Sequence, residues 1–133
     1  MTGVQTCALP ISLVERALQY CDWAVAKGLL AIRSHVDVCD DRLLAVEALL
    51  HVQRQVAPYL DLQLVAIPQD GLLRSPTALA NLKRALDMGV DVIGGIPHFE
   101  RTSEHGAESV RLLCELAAER GLHQTHAAEV AQR

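Results

Sequence analysis

Leu62–Ile67 reads Leu-Gln-Leu-Val-Ala-Ile, a short and almost wholly apolar run that is typical of a strand buried in a parallel sheet. Similar runs recur along the chain at Leu29–His35, Val90–Ile96 and Leu122–His126. The polar residues that close the four runs lie 34, 29 and 28 positions apart, so the chain repeats one supersecondary unit. These closing residues are His35, Gln69, His98 and His126.

Sequence with a helical period separates the four runs. In Leu13–Lys27 the apolar residues recur at i, i+3 and i+4, which predicts an amphipathic helix with Gly28 at its C-cap. Strands that alternate with helices imply βαβ units and a parallel sheet, because parallel neighbours need a long crossover. We predict three further helices: one capped by Asp40 that ends near Pro58, one capped by Ser75 that stops at Gly89, and one from about Gly106 to Gly121.

Two α/β architectures fit this alternation: an open doubly wound sheet of the flavodoxin type and a closed (β/α)8 barrel. In both, ligands bind at the carboxyl ends of the strands, so the closing residues are candidate site residues. A complete barrel takes about 250 residues. The 133 residues of this chain supply about four βα units, which suits a small open sheet and half of a barrel equally well.

The composition is that of a globular, core-forming domain, with 50% hydrophobic and 21% charged residues and a net charge of −4. Lys and Arg are scattered along the chain, which gives no electrostatic reason to expect nucleic acid or an anionic membrane as a partner. The cysteines form no CxxC pair, and no apolar run reaches the length of a membrane span. We therefore expect a cytoplasmic protein with a small-molecule ligand.

Residues 1–11 differ from the rest of the sequence. They carry no charge and show no helical or alternating period, and the amphipathic pattern begins directly after them. Their sequence matches the in-frame translation of a common sequencing adapter, so we interpret them as an artefact and assign residues 12–133 to the domain. A short N-terminal tail is the competing interpretation. If the adapter interpretation is correct, the natural N-terminal part of a longer protein is missing. We call this longer protein the parent protein.

Several stretches of the sequence, in this order, resemble the cytosine deaminases of the amidohydrolase superfamily. The most specific are Pro-Gln-Asp-Gly at Pro68–Gly71 and Ile-Pro-His-Phe-Glu at Ile96–Glu100. The resemblance covers essentially all of residues 12–129. The full set is Ile32–Val38, Val56–Tyr59 with Asp61–Leu64, Ile67–Gly71, Gly95–Glu100 and His126–Glu129.

This resemblance implies a partial TIM (β/α)8 barrel, in which the four strands are the second to the fifth of the parent barrel. It also implies that His126 is a metal ligand, that Glu129 is the catalytic proton carrier, and that Gln69 binds the amide edge of a pyrimidine. The third run ends in His98 without a lysine, so one divalent ion, iron or zinc, is implied instead of two. Three residues are expected to support the metal site through hydrogen bonds: His35, Asp37 and His98.

These residue types suit hydrolytic deamination. A divalent ion lowers the pKa of water and supplies the nucleophile, while a carboxylate such as Glu129 moves protons to the ring nitrogen and to departing ammonia. The Gln69 carboxamide both donates and accepts, as the amide edge of a pyrimidine requires. We therefore expect the parent to be a hydrolase that deaminates cytosine or a related aminated heterocycle.

Two other functions stay open: an amidohydrolase that cleaves a cyclic amide, and a non-enzymatic flavodoxin-like binding domain. Departures from the family pattern at Ile67 and at His123–Glu129 leave room for a triazine or another heterocycle as substrate. The isolated chain is expected neither to deaminate nor to bind metal tightly, because the family's other metal ligands would lie outside it. The oligomeric state of the parent is left open, with a homo-oligomer among the alternatives.

Overall fold

The computed structural model describes the backbone of residues 2–126 and the side chains of residues 12–122. A short 3-10 turn, Pro97–Phe99, lies between the third strand and the fourth helix. None of the helices within residues 2–126 is long and apolar enough to cross a membrane. In chain order the helices and strands are α1 Thr2–Ala26, β1 Ala31–Asp37, α2 Leu44–Val56, β2 Asp61–Ile67, α3 Ala78–Met88, β3 Val92–Gly95, α4 Ser103–Arg120 and β4 His123–His126.

The four strands form one parallel sheet in the order β1-β2-β3-β4. β1 and β2 pair along their whole length, from Ala31 opposite Asp61 to Asp37 opposite Ile67. β4 continues the sheet on the far side of β3. The predicted α/β class with a parallel sheet is confirmed, and each strand lies beside its neighbour in sequence.

All four helices contribute to a single hydrophobic core on one side of the sheet. Leu64 of β2 and Ile93 of β3 point into this core, where they meet Leu82 of α3 and Leu113 of α4, and all four side chains are at most 1% exposed. An open doubly wound sheet reverses its strand order at one point and carries helices on both faces. The described part of the chain shows neither feature, so it is wound in one direction only.

The opposite side of the sheet carries a separate, smaller apolar cluster formed by Val65, Ile67, Val92 and Ile96. Side chains alternate along a strand, so these four point away from the helices. A Cβ added to Gly94 would lie 2.3 Å from Ile67 Cγ2 on this face, and a Cβ added to Gly95 would lie 2.2 Å from Leu113 Cδ1 on the helix side. The two glycines therefore let β3 lie close to β2 side chains on one face and to α4 on the other.

The first two helices begin at residues other than those predicted. α1 begins at Thr2 and not at Leu13, so its backbone continues into residues 2–11. The interpretation of that stretch as an artefact stays a prediction. Asp40 does not cap α2, because its carboxylate accepts from the backbone N–H of Arg42 at 3.1 Å, and the N-cap position is Leu43 in the left-handed region with φ 53°.

The last two helices also begin elsewhere than the sequence predicted. α3 begins at Ala78, since the predicted cap Ser75 uses its hydroxyl to accept from the backbone N–H of Thr77 at 3.3 Å, in a local turn. α4 begins at Ser103, before the predicted start, because the Thr102 hydroxyl accepts from the backbone N–H three positions later at 3.1 Å. The choice of N-cap thus depends on which hydroxyl or carboxylate reaches the first turn.

Candidate functional site at the carboxyl edge of the sheet

The carboxyl ends of the parallel strands meet at one edge of the sheet, called the carboxyl edge below. It consists of the segments 38–43, 68–77 and 96–102, which follow β1, β2 and β3, together with the end of β4. Ligands of parallel α/β proteins bind at this edge. The structure brings four of the predicted site residues to it or next to it, His35, Asp37, Gln69 and His98, and the backbone of a fifth, His126, ends β4 at the same edge.

Gln69 lies in the loop Pro68–Arg74, which connects β2 to α3. Pro68 is buried and opens a tight turn, in which the Gly71 backbone N–H donates to the Pro68 carbonyl at 2.9 Å. Gly71 has a φ of +99°, which glycine adopts without the penalty that a side chain would bring. The Gln69 side chain is exposed, so its carboxamide can donate to and accept from a ligand at the carboxyl edge.

Asp37, the last residue of β1, joins the segments that follow β1 and β2. Its Oδ1 accepts from the backbone N–H of Cys39 at 3.0 Å and from that of Gln69 at 3.1 Å. His35 lies two residues earlier on the same face of the sheet, opposite Val65, and it is exposed. His35 and Asp37 were predicted to have the same supporting role, but their surroundings differ. Asp37 binds loop backbone, whereas His35 points out from the helix-free face of the sheet.

Glu100, in the segment after β3, contacts the same loop from the other side. Its Oε1 accepts from the backbone N–H of Leu72 at 2.6 Å and from that of Leu73 at 3.1 Å. Arg74 returns a bond in the opposite direction, because its guanidinium donates to the Phe99 carbonyl at 3.0 Å. The loops after β2 and β3 are thus joined by side chains from both of them.

His98 lies in the 3-10 turn that follows β3. Its exposed ring contacts Phe99 edge-on, with ring centroids 5.0 Å apart and an angle of 63° between the planes. An open depression of about 560 Å³ lies between this turn and the first turns of α4, with Glu100 and Arg101 in its wall. The imidazole of His98 is therefore accessible at the carboxyl edge, next to the helix layer.

The Cys39 thiol lies close to two carboxylates at the carboxyl edge. It accepts from the backbone N–H of Asp70 at 3.4 Å. Burial, together with the nearby negative charges of Asp37 and Asp70, raises the pKa of the Cys39 thiol to about 11. Because the thiolate is the form that attacks electrophiles and binds metals, Cys39 is a hydrogen-bond partner and not a nucleophile at neutral pH.

The predicted metal ligand His126 closes β4, with its backbone opposite Gly95, and Glu129 lies outside the described residues. Among the residues whose side chains are described, no three His, Cys, Asp or Glu lie close enough together to hold a metal ion. The carboxylates of Asp37 and Glu100 are engaged by backbone N–H groups instead. The described side chains therefore do not fit a metal ion by themselves, and the roles of His126 and Glu129 stay predictions.

Sequence reasoning missed the hydrogen bonds that Asp37 and Glu100 make to the loop after β2. Backbone N–H groups are alike at every position, so residue types alone do not reveal which carboxylate will meet them. One signal was available, because Glu100 closes the Ile-Pro-His-Phe-Glu stretch that carries the resemblance. Both His98 and Glu100 are candidates by their position at the end of a strand, and the bonds to the neighbouring loop come from Glu100.

No protein-family model matches the chain. Among solved structures, the chain is similar to 5-methylcytosine deaminase from Klebsiella pneumoniae liganded with 5-fluorocytosine, with 40% identity and a TM-score of 0.85 over 88% of this chain and 28% of that one. It is also similar to N-isopropylammelide isopropylaminohydrolase from Burkholderia multivorans, with 30% identity and a TM-score of 0.65 over 73% of this chain and 25% of that one.

Among curated proteins, the chain is 33% identical over 101 residues to N-isopropylammelide isopropyl amidohydrolase of Pseudomonas sp. (strain ADP), which corresponds to 75% of this chain and 25% of the relative. The chain thus spans about a quarter of the length of the relatives it matches. These relatives are hydrolases that act on C–N bonds. In sequence and in fold, the chain is similar to about a quarter of the length of a cytosine deaminase-like amidohydrolase, as its motifs predicted.

Proposed function

We propose that this chain is a portion of a metal-dependent aminohydrolase that deaminates cytosine or a related aminated heterocycle and releases ammonia. The observation that carries the proposal is the 40% identity to a 5-methylcytosine deaminase, over 88% of the chain and with a TM-score of 0.85. The similarity to an amidohydrolase named for N-isopropylammelide supports the same kind of reaction at a C–N bond. The substrate in this proposal is a small nitrogen heterocycle.

We further propose that the four strands are the second to the fifth of a (β/α)8 barrel. The consecutive strand order supports a barrel, because each strand of such a barrel pairs with its neighbours in sequence. The position of the helices on one side supports it too, since barrel helices form an outer ring. The face that carries Val65, Ile67, Val92 and Ile96 then lines the barrel interior. Both observations count against the flavodoxin-like alternative, whose sheet has helices on both faces.

In this proposal the chain supplies three functional residues: Gln69 for the substrate, His126 as one ligand of a single divalent ion, and Glu129 as proton carrier. The ion, iron or zinc, supplies an activated water when it is bound. Gln69 binds the amide edge of the heterocycle with both groups of its carboxamide and so fixes the orientation of the ring. Glu129 would carry the two protons of this water one after the other, the first to the ring nitrogen and the second to the departing ammonia.

Ammonia release by the parent protein tests this proposal. The substrates are cytosine, 5-methylcytosine and 5-fluorocytosine, which would release ammonia, together with N-isopropylammelide, which would release isopropylamine, and a dihydropyrimidine as the cyclic amide. We expect ammonia from at least one aminopyrimidine. Ring opening without ammonia would favour the cyclic-amide alternative and overturn the proposed deamination.

The variant Glu129→Gln is the matched control for this experiment, because its side chain has nearly the same shape but neither takes up nor releases a proton between pH 5 and 9. We expect the rate of ammonia release to fall by about 10² to 10⁴ if Glu129 is the proton carrier. A variant as fast as the wild type contradicts the role assigned to Glu129.

A further inference from the structure

In the loop Pro68–Arg74, every backbone N–H from Gln69 to Leu73 has an acceptor. One bond is internal, from Gly71 to the Pro68 carbonyl. The other four reach residues of the neighbouring segments, so the loop is held from outside. These bonds run from Gln69 to Asp37, from Asp70 to Cys39 Sγ, and from Leu72 and Leu73 to Glu100.

Asp37 fixes the first part of the loop. The same Oδ1 accepts from Cys39 and from Gln69, so it joins the chain directly after β1 to the chain directly after β2. The Val38 backbone N–H donates to the Ile67 carbonyl at 3.0 Å and extends the pairing of the two strands by one residue. The backbone of Gln69 is therefore held against β1, which sets the direction in which its side chain leaves the carboxyl edge.

Glu100 fixes the second part of the loop. Its carboxylate is half-buried and accepts from two consecutive backbone N–H groups, with distances of 2.6 Å to Leu72 and 3.1 Å to Leu73. Hydrogen bonds to a charged acceptor are about twice as strong as bonds between neutral groups. A Cβ on Gly71 would lie 3.2 Å from Glu100 Oε2, so the glycine leaves room for this carboxylate.

We propose that Asp37 and Glu100 are positioning residues, which hold the Gln69 loop in the conformation that the substrate needs. This inference rests on the proposed function, in which Gln69 binds the heterocycle. Both carboxylates act through the backbone of the loop, without contact to the substrate. When the loop is already ordered, no binding energy is spent on ordering it. Loss of this order should therefore weaken substrate binding more than it slows the chemical step.

Hydrogen–deuterium exchange in the parent protein tests the positioning without any reference to activity. In Asp37→Ala and in Glu100→Ala we expect the amides of Gln69–Leu73 to exchange at least about tenfold faster, while the amides of α2 keep their wild-type rates. Asp40→Ala is the matched control, because Asp40 is an exposed carboxylate at the same edge that bonds Arg42 within its own segment. Wild-type exchange of the loop in both alanine variants overturns the inference.

The variants Asp37→Asn and Glu100→Gln distinguish hydrogen bonding from charge or general destabilisation. Each keeps a carboxamide oxygen at the position of the acceptor, so we expect loop exchange within about threefold of the wild type. They also keep the test valid if an alanine variant fails to fold. Loop exchange as fast as in the alanine variants contradicts the positioning role.

The kinetic readout links the loop to the substrate. We expect the alanine variants to raise KM for cytosine by about tenfold with kcat changed by less than about threefold, and the Asn and Gln variants to restore KM. Faster loop exchange with an unchanged KM overturns the inference. A wild-type parent that releases no ammonia contradicts the proposed function instead, and the exchange experiment still decides whether the two carboxylates hold the loop.

Discussion

The helix-facing side of the sheet and its carboxyl edge are stabilised in different ways. On the helix side, Leu64, Leu82 and Leu113 are at most 1% exposed and belong to one apolar cluster, whose stability depends on how well its volume is filled. At the carboxyl edge, Asp37 and Glu100 accept hydrogen bonds from loop backbone and stay partly accessible to water. The first region makes the sheet and helices fold together, and the second determines where Gln69 points.

This difference implies that stability and activity respond to different residues. Removal of apolar volume from the core should lower the free energy of unfolding, whereas changes at the carboxyl edge should affect substrate binding first. Single substitutions in the parent protein can test that separation.

Leu64→Ala is expected to cause the largest loss of stability. Leu64 is fully buried in the middle of β2, so its truncation leaves a cavity and should lower the free energy of unfolding by about 2 to 5 kcal/mol. Urea unfolding measures this quantity. The matched control is Leu30→Ala, since Leu30 is 74% exposed and its truncation should cost less than about 1 kcal/mol. Equal losses in the two variants would show that the core is not where the structure places it.

Gly95→Ala is expected to have a smaller effect through overpacking. The new Cβ would lie 2.2 Å from Leu113 Cδ1, and the resulting displacement should cost about 1 to 3 kcal/mol. Leu113→Ala makes room for the added methyl group, so the double variant should be more stable than the sum of the two single losses predicts. Strict additivity in urea unfolding argues against a close approach of α4 to β3.

Thr102→Ala should produce the smallest of these losses, although Thr102 lies at the carboxyl edge. Its hydroxyl caps α4 by accepting from a backbone N–H at 3.1 Å, and loss of such a cap costs about 1 kcal/mol. Thr102→Ser keeps the hydroxyl and should retain wild-type stability within about 0.5 kcal/mol. If Thr102→Ser is as unstable as Thr102→Ala, the methyl group and not the cap stabilises this helix.

Much of the fold could be predicted from the sequence because it depends on local patterns. The apolar run Leu62–Ile67 is the central part of the sheet, and three predicted helix ends have their glycine in the left-handed region: Gly28, Gly89 and Gly121, with φ of +89°, +113° and +61°. Helix starts were less predictable, since Asp40 and Ser75 bond to nearby backbone in turns and do not cap a helix. A polar side chain that can bond to several nearby backbone groups does not by itself show in the sequence whether it caps a helix.

The site could be predicted only in part. Gln69 and His98 lie at the carboxyl edge, as the ends of their strands predicted. The bonds of Asp37 and Glu100 to the loop depend on contacts between residues about 30 positions apart, which the spacing of residue types does not specify. The predicted roles of His126 and Glu129 came from the resemblance alone, because a histidine and a glutamate three residues apart are a weak signal by themselves.

The binding of the substrate by Gln69 is tested most directly by the kcat/KM for cytosine of the parent variant Gln69→Leu, compared with that of Gln55→Leu. Both change an exposed glutamine to an apolar residue of similar size, but Gln55 lies on α2, away from the carboxyl edge. We expect a loss of at least about a hundredfold for Gln69→Leu, because the amide edge of the substrate loses its partner, and a loss of less than about twofold for Gln55→Leu. Equal kcat/KM values in the two variants would contradict the assignment of the Gln69 loop to the substrate.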